Sequence, residues 1–348
     1  MPDIPNSLLS VRGAAVPGGA SLALAPSAWL LFAVFAALAG ACVGSFLNVC
    51  IYRIPLDQSV VRPGSHCMTC GKPIRWYHNI PVLSYFMLRG RCASCGAPFS
   101  FRYAAVELLV ALLFLAVFCL FPPAGAAPPL GMRWLAVPVA EDGTAALRAL
   151  WQVPVWWLFV SGLVVATFVD LDHLIIPDSV TIGGAAAGLV LSALVPEMQA
   201  STVLGTVLDA ENPEGALAPV LVLARSWREG LFMSALGAAA GSVPLYLVRA
   251  AGTWWFRRRG RIGRDDYAMG LGDIKFIAAL GAFLGWQGAV FCIGGGAFLG
   301  VLVAVPLMAL GRRSLLDRIP FGPYLAGAGL LWLLWGPRFA AFYAAAFA

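Results

Sequence analysis

Charged residues are scarce in this sequence. Only 11% of its 348 residues are Asp, Glu, Lys or Arg, and 60% are hydrophobic, whereas a soluble domain usually carries about 25% charged residues. Apolar runs of roughly 20 residues, the length that crosses a bilayer, recur along the chain. This distribution excludes a single soluble core and predicts a protein embedded in the lipid bilayer.

Histidine and cysteine are also scarce. Three histidines and the lack of a His-Glu-x-x-His motif exclude a metalloprotease of that type. Eight cysteines in a chain of this length do not indicate a disulfide scaffold. A secretory signal peptide is not expected, because Arg12 is the only basic residue before the first apolar run and that run continues to Tyr52.

Eight apolar segments predict eight transmembrane helices. Their approximate limits are 28–50, 103–121, 153–170, 180–196, 230–249, 274–288, 290–310 and 322–346. The fold class expected is an all-α polytopic membrane protein with a small loop domain. The predicted parts are an extracytoplasmic tail (1–27), a first transmembrane helix (28–50), a cytoplasmic loop domain (51–102) and a membrane domain with about seven further helices (103–348).

Basic residues are concentrated in three intervals. The intervals 51–102, 249–275 and 312–318 hold 17 of the 23 lysines and arginines. With eight spans, all three intervals fall on one side of the membrane, and the positive-inside rule makes that side cytoplasmic. We therefore expect a multi-pass protein of the bacterial inner membrane, with both termini outside.

Four cysteines stand in two close pairs within the loop domain. Each pair is a C-x2-C followed by glycine, and 21 residues separate the pairs; the four are Cys67, Cys70, Cys92 and Cys95. This spacing is typical of a zinc ribbon, in which two tight turns offer four thiolates to one tetrahedral ion. We expect structural zinc in a zinc-ribbon-like loop; a redox pair or free thiols is the alternative.

Aspartates border the predicted membrane spans at two places. Asp170 follows the third apolar segment directly, with Asp172 and Asp178 close behind it, and Asp273 opens the sixth segment. Ionisable residues at a membrane edge are costly and are therefore functional candidates. The predicted topology places Asp170 and Asp273 at similar depth on the same face of the membrane, although they are far apart in sequence.

A pair of aspartates suits the hydrolysis of a peptide bond. Two carboxyl groups that share a site retain one proton between them. The ionised group can then take a proton from water while the protonated group polarises the carbonyl, as in aspartic proteases. This chemistry predicts Asp170 and Asp273 as catalytic residues. Gly270 and Gly272, which have no Cβ, would let a substrate backbone approach.

Structural roles remain open for several of these residues. Asp273 and Asp178 could each cap a helix, and Asp172 could be a solvated loop residue. Asp170 fits a structural role less well, because a carboxylate at a helix C-terminus faces the unfavourable end of the dipole. Glu107, inside the second span, could pair with a basic loop residue or line a substrate site. The candidate substrate-binding or supporting residues are Gly270, Gly272, Lys275, Asp172, Asp178 and Glu107.

Five motifs resemble those of the type IV prepilin leader peptidases, which are GxGD-type aspartic proteases. They are Gly44-Ser45-Phe46-Leu47-Asn48-Val49, the paired C-x2-C loop, Asp170-Leu171-Asp172-His173-Leu174-Ile175-Ile176-Pro177-Asp178, Gly270-Leu271-Gly272-Asp273 and Ile319-Pro320-Phe321-Gly322-Pro323-Tyr324. Each motif is short, but together they run in the expected order on a matching topology.

The resemblance implies an activity, a substrate and a cofactor. Asp170 and Asp273 would be the catalytic pair of an endopeptidase that cleaves type IV prepilins or pseudopilins after a glycine. Many members also methylate the new N-terminus with S-adenosylmethionine, although no conventional methyltransferase unit is recognisable here. The partners expected are these substrates and the lipid bilayer, with no nucleic acid, and the sequence predicts no oligomeric state.

The sequence departs from the family pattern in places that do not include the aspartate pair. The segment 264–269 lacks the glutamate usual before Gly-x-Gly-Asp, and Tyr103 is followed by Ala104 where the family has proline. The loops 122–152 and 197–229 are also longer than expected. The tyrosine–alanine pair lies close to Glu107, so the role of Glu107 is less fixed by the resemblance.

A proton-coupled transporter is the main alternative function. Aspartates at a membrane edge can carry protons, but transporters favour carboxylates at the bilayer midplane beside discontinuous helices. A transporter would also give the four-cysteine loop no evident role. A binding protein whose cysteine loop docks a partner is the second alternative.

Overall fold

The structure is a computed structural model. It describes residues 26–120, 144–209, 212–223, 226–261, 263, 267, 269–310 and 320–347. Residues 1–25 of the predicted tail, most of the loop 122–152 and the basic interval 312–318 lie outside the described residues.

The described residues form eight α-helices. These are α1 (Pro26–Arg53), α2 (Leu83–Met87), α3 (Arg102–Leu120), α4 (Thr144–His173), α5 (Asp178–Leu194), α6 (Trp227–Arg258), α7 (Leu271–Ala309) and α8 (Gly322–Phe347). Five of them, α1, α3, α4, α6 and α7, contain a stretch long and apolar enough to cross a membrane, and α5 is a shorter apolar helix. The prediction of a polytopic helical membrane protein is confirmed.

Helix α7 contains two of the predicted spans. Gly285, with φ 71° and ψ 179°, breaks the helix. A Cβ on Gly241 of α6 would lie 2.9 Å from the Ile277 carbonyl oxygen and 3.3 Å from the Ala289 Cβ. Two residues so far apart along one straight helix could not both meet Gly241, so the chain reverses direction at the break. The predicted segments 274–288 and 290–310 are therefore the two arms of α7.

Buried polar side chains occupy the region of this break. Gln199 Nε2 donates to the carbonyl oxygens of Ala282 at 2.8 Å and Phe283 at 3.3 Å. Ser234 Oγ donates to the same Ala282 oxygen at 2.8 Å, and Gln199 also donates to Ser192 at 2.8 Å. A helix break removes the N–H partners of the preceding carbonyls, and these side chains replace them.

A β-hairpin occupies most of the interval 197–229, which the sequence analysis treats as a loop. Strand β1 (Ala200–Asp209) pairs antiparallel with β2 (Asn212–Leu223), and Ala200 lies opposite Leu223. The apolar alternation of these strands is interrupted by proline and glycine, which makes the strand signal in this interval weak.

The chain divides into two compact units, with the boundary between Val169 and Asp170. In the first unit, α1 packs closely on α3, since a Cβ on Gly40 or Gly44 would lie 2.8 Å from the backbone of α3. Trp157 of α4 stacks on Phe114 of α3 with ring centroids 4.7 Å apart. The second unit contains the last turn of α4 and helices α5 to α8.

Candidate functional site

Asp170 lies in the last turn of α4, and its side chain is held by the start of α8. The residue is buried, with 5% of its surface exposed. Its Oδ2 accepts a hydrogen bond of 2.8 Å from the backbone N–H of Gly322, the first residue of α8. The first N–H groups of a helix have no partner within the helix and attract anions. The α8 N-terminus thus compensates Asp170 for its unfavourable place at the end of α4.

Asp273 lies in the first turn of α7, and Gly270 is the N-cap of that helix. The residue is half-buried, and its carboxyl group interacts electrostatically with that of Asp170. The predicted topology had placed both aspartates at similar depth on one face of the membrane. Asp273 is not the capping residue, because it stands three positions beyond Gly270. Asp170 at the N-terminus of α8 and Asp273 in the first turn of α7 each lie where a helix dipole favours negative charge, and a proton shared by the two carboxyl groups remains a prediction.

Gly322 is a site residue for which the sequence analysis assigned no role. A Cβ at this position would lie 2.8 Å from Asp170 Oδ2 and 3.2 Å from Asp170 Cγ. Only glycine leaves room for the carboxyl group against this backbone. The signal in the sequence was Gly322-Pro323, since proline is favoured at the start of a helix, but nothing in that signal identifies Asp170 as the partner.

Asp178 and Lys275 form an ion pair beside the two aspartates. Lys275 Nζ lies 2.7 Å from Asp178 Oδ1, with the two side chains 35% and 64% exposed. Asp178 is the first residue of α5, and the N-cap is Pro177, so Asp178 does not occupy the capping position itself. The pair joins the first turn of α5 to the beginning of the second turn of α7. Asp172 lies on the exposed side of the last turn of α4.

Gly272 lies against the connection between α4 and α5. A Cβ on Gly272 would be 3.8 Å from the backbone nitrogen of Ile176, an ordinary contact. Gly270 is exposed, and a Cβ there would have Asp273 Oδ2 as its nearest neighbour at 3.9 Å. Neither glycine is required by packing within this structure, so space for a substrate backbone remains the prediction for both.

Glu107 belongs to the first unit, where it binds the loop domain. Its Oε2 accepts a hydrogen bond of 2.6 Å from the backbone N–H of Val82. Val82 has φ 63°, a conformation that is strained for a β-branched residue. A backbone amide thus takes the place of the basic loop residue that the sequence analysis offered as a partner for Glu107.

The four cysteines of the loop domain form one cluster. The Sγ atoms of Cys67, Cys70, Cys92 and Cys95 all lie within 4.8 Å of one another. Each pair ends in a glycine with positive φ, 68° at Gly71 and 72° at Gly96, and each glycine N–H donates to the carbonyl of the first cysteine of its pair. The two turns are therefore equivalent, and the predicted gathering of the four sulfurs is confirmed.

The Cys67 thiol loses its proton more readily than an ordinary cysteine thiol. Backbone N–H groups of Cys70 and Thr69 donate to its sulfur and lower the pKa of Cys67 to about 6. Hydrogen bonds that favour the charged form of a thiol have this effect. Four sulfurs at this spacing, one of them readily ionised, could hold a metal ion.

Two parts of the chain match known protein families. Residues 38–121 match the bacterial peptidase A24 N-terminal domain, and residues 214–305 match the type IV leader peptidase family. The first match includes Glu107 and the four cysteines, and the second includes Asp273. Asp170 and Gly322 lie outside both matched intervals.

Several similar proteins carry the name prepilin leader peptidase/N-methyltransferase. The one from Aeromonas hydrophila is 33% identical over 90% of this chain and 94% of its own length. The one from Myxococcus xanthus is 37% identical over 82% of this chain, which spans 66% of that relative's length. The one from Pseudomonas aeruginosa is 30% identical over 89% of this chain and 92% of its own length. No solved structure gave a significant match.

Proposed function

Because the chain belongs to the type IV leader peptidase family, we propose that it is a membrane-embedded aspartic endopeptidase that cleaves the leader peptides of prepilins or pseudopilins. The observation that supports the reaction is the interaction of Asp170 with Asp273 at the converging ends of α4, α7 and α8. The names of the relatives add methylation of the new N-terminus, with S-adenosylmethionine as the methyl donor.

The proposed mechanism uses the pair as acid and base. One carboxylate takes a proton from a water molecule, whose oxygen attacks the carbonyl carbon of the scissile peptide bond. The protonated partner donates its proton to the carbonyl oxygen, and a tetrahedral intermediate forms. The carboxyl group that took the water proton then donates it to the leaving nitrogen, and as the C–N bond breaks a hydroxyl of the intermediate returns a proton to the other carboxylate, so that the pair again holds one proton.

A transporter function has no support from the comparisons, since the relatives are named as peptidases. Both aspartates also lie at helix ends, Asp170 in the last turn of α4 and Asp273 in the first turn of α7. Transport sites are instead typical of discontinuous helices near the bilayer midplane.

The proposed peptidase can be tested with the purified full chain in detergent and a synthetic leader peptide. We expect one cut after the glycine that precedes the apolar segment, with the new N-terminus identified by mass spectrometry. A matched peptide with that glycine replaced by valine should remain uncut. An intact first peptide under the same conditions would contradict the proposal. With S-adenosylmethionine added, the product should gain one methyl group.

We propose that Asp178, Lys275, Asp172, Gly270 and Gly272 support substrate binding around the pair.

Because basic residues concentrate in the intervals 51–102 and 249–275, the positive-inside rule supports a cytoplasmic site in a bacterial inner-membrane protein. We also propose the division into a tail (1–27), a first helix (28–50), a metal-binding loop domain (51–102) and a peptidase membrane domain (103–348).

Zinc is the proposed metal of the four-cysteine cluster. Four sulfurs placed tetrahedrally at about 2.3 Å from zinc lie about 3.8 Å apart, and the Sγ atoms of Cys67 and Cys95 are 3.8 Å apart. Four thiolates leave no open coordination position, so the ion would hold the loop domain together and take no part in hydrolysis.

Cys67→Ser is expected to weaken zinc binding at least about a hundredfold, since even outer partners of metal ligands contribute about 10–100-fold. The measurement is zinc content after dialysis against graded chelator concentrations. Cys42→Ser is the matched control, because Cys42 is an exposed cysteine of α1 outside the cluster. Equal zinc retention in the two variants would exclude Cys67 as a ligand.

Gly322→Ala is expected to lower kcat about 10–100-fold with little change in KM. The added Cβ would displace the Asp170 carboxyl group, and misplacement of a catalytic group by about 1 Å can reduce the rate about a hundredfold. Gly327→Ala on the same helix is the control, since its Cβ would meet Leu299 Cδ1 at 3.4 Å. If the two variants cleave equally fast, Gly322 does not position Asp170.

A further inference from the structure

Helix α2 of the loop domain presents an apolar face outward. Its side chains Leu83, Phe86 and Met87 are 59%, 62% and 64% exposed, whereas its polar residue Ser84 is only 9% exposed. Spacings of three and four residues place the three apolar side chains on one side of the helix. This arrangement is the reverse of the one expected in water, where burial favours apolar groups and is costly for polar ones. It suits an outer medium that is itself apolar, such as lipid.

Helix α3 sets the depth of α2 in the membrane. The 19 residues of α3 rise about 28 Å, close to the hydrocarbon thickness of about 30 Å, so α3 begins at the edge of the hydrocarbon. The backbone N–H of Val82, just before α2, donates to Glu107 in the second turn of α3. The ring centroid of Tyr85 lies 5.3 Å from that of Phe101, the residue that precedes α3. These two contacts place α2 beside the first turns of α3, where headgroups meet acyl chains.

The chain around α2 carries a charge complementary to an anionic membrane surface. Residues 58–102 include six lysines and arginines and no aspartate or glutamate. Two of these arginines, Arg89 and Arg91, follow α2 directly and are exposed. An apolar face accompanied by basic residues is typical of segments that lie in the membrane interface, where the basic residues attract anionic headgroups. The apolar face and the charges beside it therefore fit the same partner, a lipid leaflet.

We propose that α2 inserts Leu83, Phe86 and Met87 among the acyl chains of the adjoining lipid leaflet. The loop domain then lies on the bilayer surface, held there by α2 and by the membrane helices α1 and α3 at its two ends, and does not extend freely into solution. Insertion also gives Glu107 a positioning role, since its bond to Val82 holds α2 at this depth. The inference requires that α3 crosses the membrane but not that the chain is a peptidase, so it can fail while leader cleavage is retained.

The test is photo-cross-linking of the full chain in vesicles of phosphatidylethanolamine and phosphatidylglycerol. Met87 is replaced by the photo-reactive residue p-benzoylphenylalanine, and mass spectrometry identifies the molecule and the carbon chain to which it links. Met68 is the matched site, because it is also 64% exposed but lies in a turn of the cysteine cluster. Acyl-chain adducts should be at least about tenfold more abundant at position 87 than at position 68, since burial of one large apolar side chain favours the inserted position by about that factor.

A second pair of variants changes the face itself. Phe86→Asp should lower the acyl-chain adduct at position 87 about tenfold, because insertion loses one large apolar side chain, whereas Phe86→Leu keeps the face apolar and should leave the adduct unchanged. Equal adducts at positions 87 and 68 would overturn the proposal, since labelling would then report exposure alone. Adducts to a second copy of the chain, or to a prepilin added to the vesicles, in place of lipid would overturn it in favour of a protein partner on this face.

Discussion

Asp170→Asn and Asp273→Asn are each expected to lower kcat for leader cleavage about a thousandfold or more. Either change removes one of the two groups that exchange protons with water and the substrate carbonyl, and such groups contribute about 10²–10⁴-fold each. The double variant should be no slower than the worse single variant, because residues that act as a unit are not additive. The measurement is single-turnover cleavage of a synthetic leader peptide.

The Asp170→Asn variant separates the catalytic role proposed for Asp170 from its structural role. Oδ2 of Asp170 caps α8 through Gly322 N–H, and the amide oxygen of asparagine can accept the same hydrogen bond. The fold should therefore survive while cleavage is lost. Asp57→Asn is the matched control, since Asp57 is an exposed loop residue with φ 53°, a conformation that asparagine adopts readily. Undiminished cleavage by Asp170→Asn would leave Asp170 as a structural cap only.

Gly237→Ala is expected to destabilise the protein by about 3 kcal/mol, at the upper end for overpacking of a close contact. Gly237 of α6 faces α7 at its break, and an added Cβ would collide with the Gly281 carbonyl oxygen. Helix pairs in membranes commonly approach through small residues, where no side chain can be accommodated. The measurement is the midpoint of thermal unfolding in detergent.

Gly294→Ala is the control for this prediction. Gly294 also lies within a helix, in the second arm of α7, but a Cβ there would meet nothing within 4 Å. Alanine favours the helix by about 1 kcal/mol over glycine, so Gly294→Ala should unfold at an equal or higher temperature. A similar midpoint for the two variants would show that the Gly237 contact is loose.

The helices and the cysteine cluster could be predicted from the sequence because their signals are local. Long apolar runs have one stable arrangement in a bilayer, and C-x2-C followed by glycine specifies a tight turn by itself. The proximity of Asp170 and Asp273 followed from topology, since two spans that end on one face bring their ends to one depth. The prediction for the aspartates needed only the order of the segments.

Contacts between distant side chains and backbone groups could not be predicted in this way. The bond from Gly322 to Asp170 spans 152 residues, and that from Val82 to Glu107 joins a loop to a membrane helix. In each of these two bonds the donor is a backbone amide, which carries no residue-type signal. The two arms of α7, which meet at Gly285, were predicted as two separate spans. No sequence pattern identified the glutamine and serine side chains that bind the carbonyl oxygens at this reversal.

The bond between Gly322 and Asp170 gives the proposed reaction a handedness. Oδ2 is engaged by a backbone N–H that belongs to a helix end, so Oδ1 is the oxygen left to hold the attacking water. A water held on one fixed oxygen can reach only one side of a planar amide. The two hydroxyl groups of the tetrahedral adduct would therefore take distinct, fixed places against the pair, and of two adduct mimics that carry a single hydroxyl in opposite configurations, one should bind poorly.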